Sequence, residues 1–239
     1  MTQRATSETS RTPLTRPRVL DAAVRLADAS GIESLSMRRL GDSLGVEGMA
    51  LYRHVPNKDA ILDGVVDAVI REIRVPQPRD TDWVQAMREL ALAARVVMLR
   101  HPWAPSVIVS RPDVGMATIA HIDRVLAILE SAGFPIDLAH HALHVLGSRI
   151  FGFTQDPFND SADVRPDPET AAAIAKSLEA TYPSVGRLAL AVNHEGGLGG
   201  CDDEFEFGFG LDLILGGLER VGRAAAAGRL LSVEGVEAD

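Results

Sequence analysis

The chain has 239 residues, of which 46% are hydrophobic, and a formal net charge of −9, which suits two helical layers or domains with a sizeable core. A single cysteine, Cys201, excludes an internal disulfide framework and any zinc site built from cysteines. No apolar run reaches the length of a membrane span and the N-terminus lacks a signal-peptide pattern, so we expect a cytoplasmic protein with no membrane partner.

The N-terminal segment is polar and basic. Residues 1–13 are rich in Ser, Thr and Arg and have no apolar period, which predicts a disordered tail. A first helix is then predicted from Thr15 to about Ser30, ending at Gly31. Its buried stripe is expected to contain Val19, Leu20, Ala23, Val24 and Ala27.

Two short helices with a glycine between them follow. The hydroxyl of Ser36 can cap the first of them, and its apolar positions repeat at helical spacing at Met37, Leu40 and Leu44. Gly45 suits the left-handed residue that ends a helix and starts a sharp turn. A second short helix is predicted over Val46–His54. This pattern indicates a helix-turn-helix, whose second helix enters the DNA major groove.

The charge distribution agrees with a DNA-binding end. Residues 1–60 carry nine Arg or Lys against seven Asp or Glu, whereas the remainder carries fifteen against twenty-six. A locally positive face is enough to attract phosphates, and the acidic remainder would discourage indiscriminate binding to DNA. Arginines of the N-terminal segment could reach the DNA backbone or minor groove, or could be solvated, namely Arg4, Arg11, Arg16 and Arg18.

The end of the second short helix is the most specific motif. Residues 51–58, LYRHVPNK, resemble the Leu-Tyr-x-His-x-x-x-Lys ending of the recognition helix in the TetR family of bacterial repressors. The resemblance implies that Arg38 reads a base and that Tyr52, His54 and Lys58 approach phosphates. The alternatives are that Tyr52 and His54 pack at a helix junction and that Arg39 and Arg53 are solvated. The predicted DNA-binding residues are Ser36, Met37, Arg38, Gly48, Met49, Ala50, Tyr52, Arg53, His54 and Lys58.

The remaining pattern is helical, which predicts an all-α protein. Its expected parts are a disordered tail (1–13), a three-helix helix-turn-helix domain (14–57), a connecting helix (58–75) and a larger helical domain for ligand binding and dimerisation (76–239). Within the larger domain, helices are predicted over 82–100, 114–132, 136–154, 169–192 with a possible interruption at Pro183, and 203–227, and an exposed loop over 156–168.

The last predicted helix combines large apolar residues with several glycines. Glycine costs helix stability, so a close helix-to-helix contact is expected to offset it. The family resemblance implies that this helix and the 136–154 helix form a four-helix interface between two subunits of a homodimer, and an intrachain contact is the alternative. The predicted interface residues are Phe205, Phe209 and Leu213.

The second half resembles the effector-binding half of the tetracycline repressor subgroup. The resemblance rests on Trp83, the triplet RPD at 111–113, Gly133 with Phe134, and the stretch 202–219, in that order. That repressor holds drug-chelated magnesium with a His just before the triplet, where this chain has Val107, Ile108 and Val109. We therefore expect a small hydrophobic or aromatic effector and no metal or other cofactor. The predicted pocket contains Leu90, Ala94, Val107, Ile108, Val125, Leu143 and Phe151, with Arg74, His140 and His144 as polar groups.

Other functions fit the residues less well. His140 and His144 lie one helical turn apart and could share a metal, but no Glu or Cys completes a convincing set. No nucleophile elbow, HExxH motif or phosphate-binding loop is present, so an enzyme is not expected. An architectural DNA protein would lack an acidic, apolar second half. We expect a ligand-responsive transcriptional regulator that represses from a palindromic operator, the alternative being a metal-sensing or ligand-free regulator on the same fold.

Overall fold

A computed structural model describes residues 13–74, 82–152, 167–191 and 203–228. The chain is all-α, as predicted, and no strand occurs in these ranges. None of the helices described is long and apolar enough to cross a membrane. The α-helices are α1 (Arg16–Ser30), α2 (Met37–Leu44), α3 (Gly48–Leu51), α4 (Lys58–Glu72), α5 (Trp83–Arg100), α6 (Ala104–Ser110), α7 (Met116–Ser131), α8 (Ile136–Gly152), α9 (Pro168–Thr181), α10 (Pro183–Ala191) and α11 (Asp203–Ala226).

The chain divides into two compact units. The first contains residues 1–74 and 96–121, and the second contains 75–95 and 122–239. The predicted domain limits at 13, 57 and 75 stay predictions. Of the tail predicted over 1–13, only Pro13 is among the described residues. Of the loop predicted over 156–168, only the last two residues are described.

Helix α1 supports the first unit. The hydroxyl of Thr15 accepts from the N–H of Arg18 at 3.4 Å, and Gly31 ends the helix with a φ of 78°. The predicted stripe of α1 is buried. A Cβ atom built at Gly64 of α4 would lie 2.5 Å from Cδ2 of Leu20 on α1, so a larger residue there would displace the Leu20 side chain.

A buried histidine joins three segments of the first unit. His101 is only 3% exposed, and its Nδ1 lies 2.7 Å from a carboxylate oxygen of Asp28 on α1. The indole N–H of Trp103 donates to the same oxygen at 2.8 Å. The other ring nitrogen of His101 lies 3.4 Å from Glu72 on α4, to which Arg100 donates at 2.7 Å. These contacts fix the turn between α5 and α6 against α1 and α4.

The second unit has its own apolar core. One stripe of α11 is buried, at Phe207, Leu211, Leu215 and Leu218. Phe134, just before α8, packs edge-on against Trp83 with ring centroids 4.9 Å apart, and a Cβ atom at Gly222 would meet its ring at 2.8 Å. Arg88 of α5 pairs with Asp212 of α11 at 2.9 Å.

Two elements of the structure were not predicted from the sequence, and one predicted helix is shorter than expected. A 3₁₀ turn at Ile32–Ser34 and helix α6 were not predicted. The helix predicted over Val46–His54 was too long, because it spans only Gly48–Leu51 and continues as turns to His54. Glu47 has extended backbone angles (φ −68°, ψ 142°), and the N–H of Val46 bonds to the Gly41 carbonyl at 3.0 Å, so residues 46 and 47 belong to the turn. The interruption predicted at Pro183 lies between α9 and α10.

Candidate functional site

The helix-turn-helix begins with the predicted cap. The hydroxyl of Ser36 accepts from the N–H of Arg39 at 3.2 Å, which satisfies a free donor of the first turn of α2. Gly45 ends α2 in the left-handed region with a φ of 66°. Both the cap and the glycine turn are confirmed. They fix the angle at which the chain leaves α2 for α3.

An open cavity lies between α2 and α3. Its volume is about 670 Å³, and it is lined by Met37, Arg38, Asp42, Gly45, Val46, Glu47, Gly48, Met49 and Tyr52. Five predicted DNA-binding residues therefore share one surface. The side chains of Met49 and Tyr52 are 75% and 45% exposed, although Leu51 between them is fully buried. Helix α3 is thus held by Leu51 and presents Met49 outward, with the exposed Tyr52 following it.

The basic side chains of this unit differ in what they contact. Arg38 is exposed and, among the residues that the structure describes, has no hydrogen bond or ion pair. Arg39 instead donates to the carbonyl of Ser34 at 3.3 Å. Arg53 is exposed, and His54 is half-buried. Arg38 is therefore the arginine of α2 that is available to a ligand on this surface.

Lys58 lies at a favourable place for a phosphate contact. It is the first residue of α4, and the side chain of Asn57 caps that helix by accepting from the N–H of Ala60 at 2.8 Å. Helix N-termini carry partial positive charge, which adds to that of the exposed lysine. The other five predicted DNA-binding residues do not line the cavity between α2 and α3, namely Ser36, Ala50, Arg53, His54 and Lys58.

Helix α4 also carries carboxylates that hold the segment after α6. Arg111 donates from Nε to Asp63 at 2.7 Å and from a terminal nitrogen to Asp59 at 3.0 Å. The hydrogen bond to Asp59 raises the pKa of the Arg111 guanidinium, and the bond to Asp63 adds to this effect against the cost of desolvation. One turn further along α4, Asp67 accepts from the N–H of Ala117 in the first turn of α7 at 3.2 Å.

The predicted effector residues differ in burial. Leu90, Ala94, Val107 and Val125 are buried, and Ile108, Leu143 and Phe151 are half-buried. The three polar residues Arg74, His140 and His144 are exposed. Arg74, Val107 and Ile108 belong to the first unit and the other seven to the second, and the pocket stays a prediction.

Two of the three histidines of α8, His140 and His144, contact each other. The Nε2 atoms of His140 and His144 lie 2.9 Å apart, and their rings are nearly perpendicular. No third His, Cys, Asp or Glu joins them in a metal-binding group within the described part of the chain. Val107, in the segment just before the RPD triplet, is a buried residue of α6 whose side chain offers no ligand atom.

The predicted dimer residues form an exposed stripe. Phe205, Phe209 and Leu213 are spaced one turn apart on α11 and are 63%, 54% and 61% exposed. The rings of Phe205 and Phe209 stack with centroids 6.1 Å apart. The same helix buries Phe207 and Leu211 within the subunit. Helix α11 therefore has two apolar stripes, one buried within the subunit and one exposed.

Comparison with known proteins identifies the family. Residues 19–65 match the model for bacterial regulatory proteins of the tetR family, and residues 75–221 match the tetracyclin repressor-like C-terminal domain. The chain belongs to the TetR family. Its members are transcriptional regulators, and the two matched regions cover the helix-turn-helix and the C-terminal half of the chain.

Several TetR-family proteins that this chain resembles are described as repressors. The HTH-type transcriptional repressor DrrR1 of Streptomyces coeruleorubidus is 34% identical, over 91% of this chain and 82% of the relative. The class C tetracycline repressor protein of Escherichia coli is 31% identical, over 87% and 92%. Apo ActR from Streptomyces coelicolor is 27% identical with a TM-score of 0.72, covering 90% of this chain and 99% of ActR. ActR in complex with actinorhodin gives a TM-score of 0.70 at 27% identity, covering 91% and 99%.

Sequence reasoning about this TetR-family chain missed residues that position the site. A Cβ atom at Gly41 would lie 2.8 Å from the Val46 carbonyl oxygen, and one at Gly115 would lie within contact distance of the Asp67 carboxylate. Gly41, a glycine inside a short amphipathic helix, is the local signal of this close approach. The partners of Asp59, Asp63 and Asp67 are about 50 residues away along the chain and leave no local pattern.

Proposed function

We propose that this TetR-family regulator represses transcription by binding a palindromic operator as a homodimer and is released by a small hydrophobic or aromatic molecule. The observation that carries the proposal is the surface shared by α2 and α3, on which Arg38, Met49 and Tyr52 are exposed while Leu51 holds α3 in place. A compact helix with an outward face of this kind can enter a major groove.

The DNA contacts are assigned from the exposure and the charge of the side chains near α3. Asp42 and Glu47 line the same cavity, but Arg38 forms no hydrogen bond or ion pair with them among the described residues, so its guanidinium can fork onto a guanine. Tyr52 and Lys58, which both follow α3, contact phosphates, and Ser36, Arg53 and His54 add backbone contacts. Gly48 and Ala50 keep the backbone of α3 near the base edges. Base reading then depends on Arg38 and Met49, and positioning depends on the other contacts.

Dimerisation uses the second face of α11. Three large apolar side chains that are each more than half exposed on one stripe favour a contact with a second copy of the same helix. A two-fold dimer presents two copies of α3, which matches the two half-sites of a palindrome. The buried face at Phe207 and Leu211 keeps α11 fixed in its own subunit.

The effector is expected to be apolar. Seven of the ten predicted pocket residues are aliphatic or aromatic and are buried or half-buried. Val107 provides no oxygen or nitrogen for a magnesium chelate, so a tetracycline-magnesium complex is not the expected ligand. ActR, which this chain resembles, has been crystallised with actinorhodin. An effector shifts the equilibrium only if it binds the DNA-free arrangement more tightly than the DNA-bound one.

The experiment is operator binding measured with and without candidate effectors. A palindromic site is first selected from random duplexes with the full chain, and hydrophobic aromatic compounds are then tested for release in the presence and absence of a chelator. We expect protection of two half-sites and release that a chelator does not affect. Release that is abolished by a chelator would instead support the metal-sensing alternative through His140 and His144.

A further inference from the structure

Three aspartates lie on one line of α4. Asp59, Asp63 and Asp67 are spaced four residues apart, so they share a face of the helix. Asp59 directly follows Lys58 at the N-terminus of α4. The first two carboxylates both bind Arg111, and the third binds the backbone at Ala117. We call Asp59, Asp63 and Arg111 the charge-masking cluster.

Arg111 neutralises the net charge near the N-terminus of α4. Lys58 contributes one positive charge and Asp59 and Asp63 contribute two negative ones, so these three residues alone are net negative. Arg111 makes the group neutral. Its side chain is only 16% exposed, whereas those of Asp59 and Asp63 are 72% and 46% exposed, so the carboxylates could act on a nearby phosphate if Arg111 were absent.

The position of Arg111 depends on the segment that carries it. Arg111 follows α6 directly, and the segment is fixed again at Ala117 by Asp67. Gly115 allows that second contact, because a Cβ atom there would collide with the Asp67 carboxylate. A shift of residues 111–117 along α4 therefore moves Arg111 relative to Asp59 and Asp63.

We propose that Arg111 is a positioning residue for operator binding that acts by masking Asp59 and Asp63 from the DNA phosphates, and that withdrawal of Arg111 exposes these two carboxylates and repels the operator. The proposal rests on the proposed function, in which Lys58 at the same helix end contacts a phosphate. Repulsion by Asp59 and Asp63 contributes to release of the operator without any change in the distance between the α3 helices of the two subunits.

The test compares full-length variants at several salt concentrations. Arg111→Gln should weaken operator binding by the dimer about 3- to 10-fold near 0.05 M salt, and the difference should shrink at higher salt because screening removes the repulsion. Asp59→Asn with Asp63→Asn should bind at least as tightly as the native chain. The triple variant, which combines these changes with Arg111→Gln, should recover native affinity although the ion pairs are gone.

The controls separate electrostatics from folding. Arg100→Gln removes a similar arginine-carboxylate pair at the other end of α4, where Arg100 donates to Glu72 at 2.7 Å, and should leave operator affinity unchanged. Melting temperatures show whether each variant is folded. A triple variant as weak as Arg111→Gln would overturn masking and indicate a mechanical role. A native chain that binds no operator would instead contradict the proposed function.

Discussion

The Cβ position of Gly41 lies 2.8 Å from the carbonyl oxygen of Val46, so α2 meets the following turn without room for any side chain. The same position is 3.1 Å from the backbone nitrogen of Gly48, the first residue of α3. Both neighbours are backbone atoms, which cannot rotate away as a side-chain end can. The closeness of these two helices therefore sets where Arg38 and Met49 lie relative to each other.

The first prediction follows from this close approach. Gly41→Ala should push the turn away from α2, lower the free energy of unfolding by about 1 to 3 kcal/mol and weaken specific operator binding. Chemical denaturation and operator titration measure the two effects. Gly147→Ala is the matched control, since a Cβ atom there has only an ordinary contact at 3.9 Å with Phe151. Equal stability of the two variants would contradict the prediction.

The second prediction concerns base reading by Arg38. Arg38→Ala should reduce the preference for one base pair in each half-site, by about 1 to 3 kcal/mol per half-site, because the variant cannot form a forked bond to guanine. Arg39→Ala should keep that preference, since Arg39 donates to the Ser34 carbonyl. Binding to a set of single-base operator variants measures both. A uniform weakening across all operators in Arg38→Ala would mean that Arg38 contacts only phosphate.

The third prediction concerns the phosphate contact of Lys58. Lys58→Ala should weaken binding to all operator sequences alike, and the slope of log affinity against log salt should fall by about one unit for each phosphate that the variant no longer neutralises. Lys176→Ala, which removes an exposed lysine from α9, serves as the control. A salt slope that is the same in both variants would show that Lys58 does not contact DNA.

The fourth prediction separates the two faces of α11. Phe209→Glu with Leu213→Glu changes exposed residues, so the chain should stay folded, become monomeric and no longer bind the operator tightly. Leu211→Glu places a charge in the subunit core and should unfold the second unit instead. Sedimentation and circular dichroism measure assembly and folding. A folded dimer of the first variant would refute the assigned interface.

The fifth prediction concerns the buried histidine. His101→Ala should lower the free energy of unfolding by about 2 to 4 kcal/mol, because it leaves a cavity in place of a buried ring and removes one hydrogen-bond partner each from Asp28 and Glu72. Changing the exposed His141 to Ala should have little effect. Denaturant titration provides both values, and similar stabilities would show that His101 does not hold α1 and α4 to the turn before α6.

Local patterns in the sequence determined the fold class and the frame of the DNA-binding unit. The Ser36 cap, the left-handed Gly45 and the apolar spacing of α1 and α4 act over a few residues, because capping, backbone strain and helical periodicity are short-range effects. The break before Pro183 was predictable for the same reason. The motif LYRHVPNK indicated the TetR family, which the comparisons confirm.

Tertiary structure decided where α3 begins, which arginine of α2 remains available and what Arg111 binds. The start of α3 depends on the hydrogen bond from Val46 to Gly41, and the choice between Arg38 and Arg39 depends on the carbonyl of Ser34. Arg111 meets Asp59 and Asp63 only because α4 and α6 pack together. Contacts between residues some 50 positions apart have no period or cap that a local pattern could carry, so they exist only once the helices have packed.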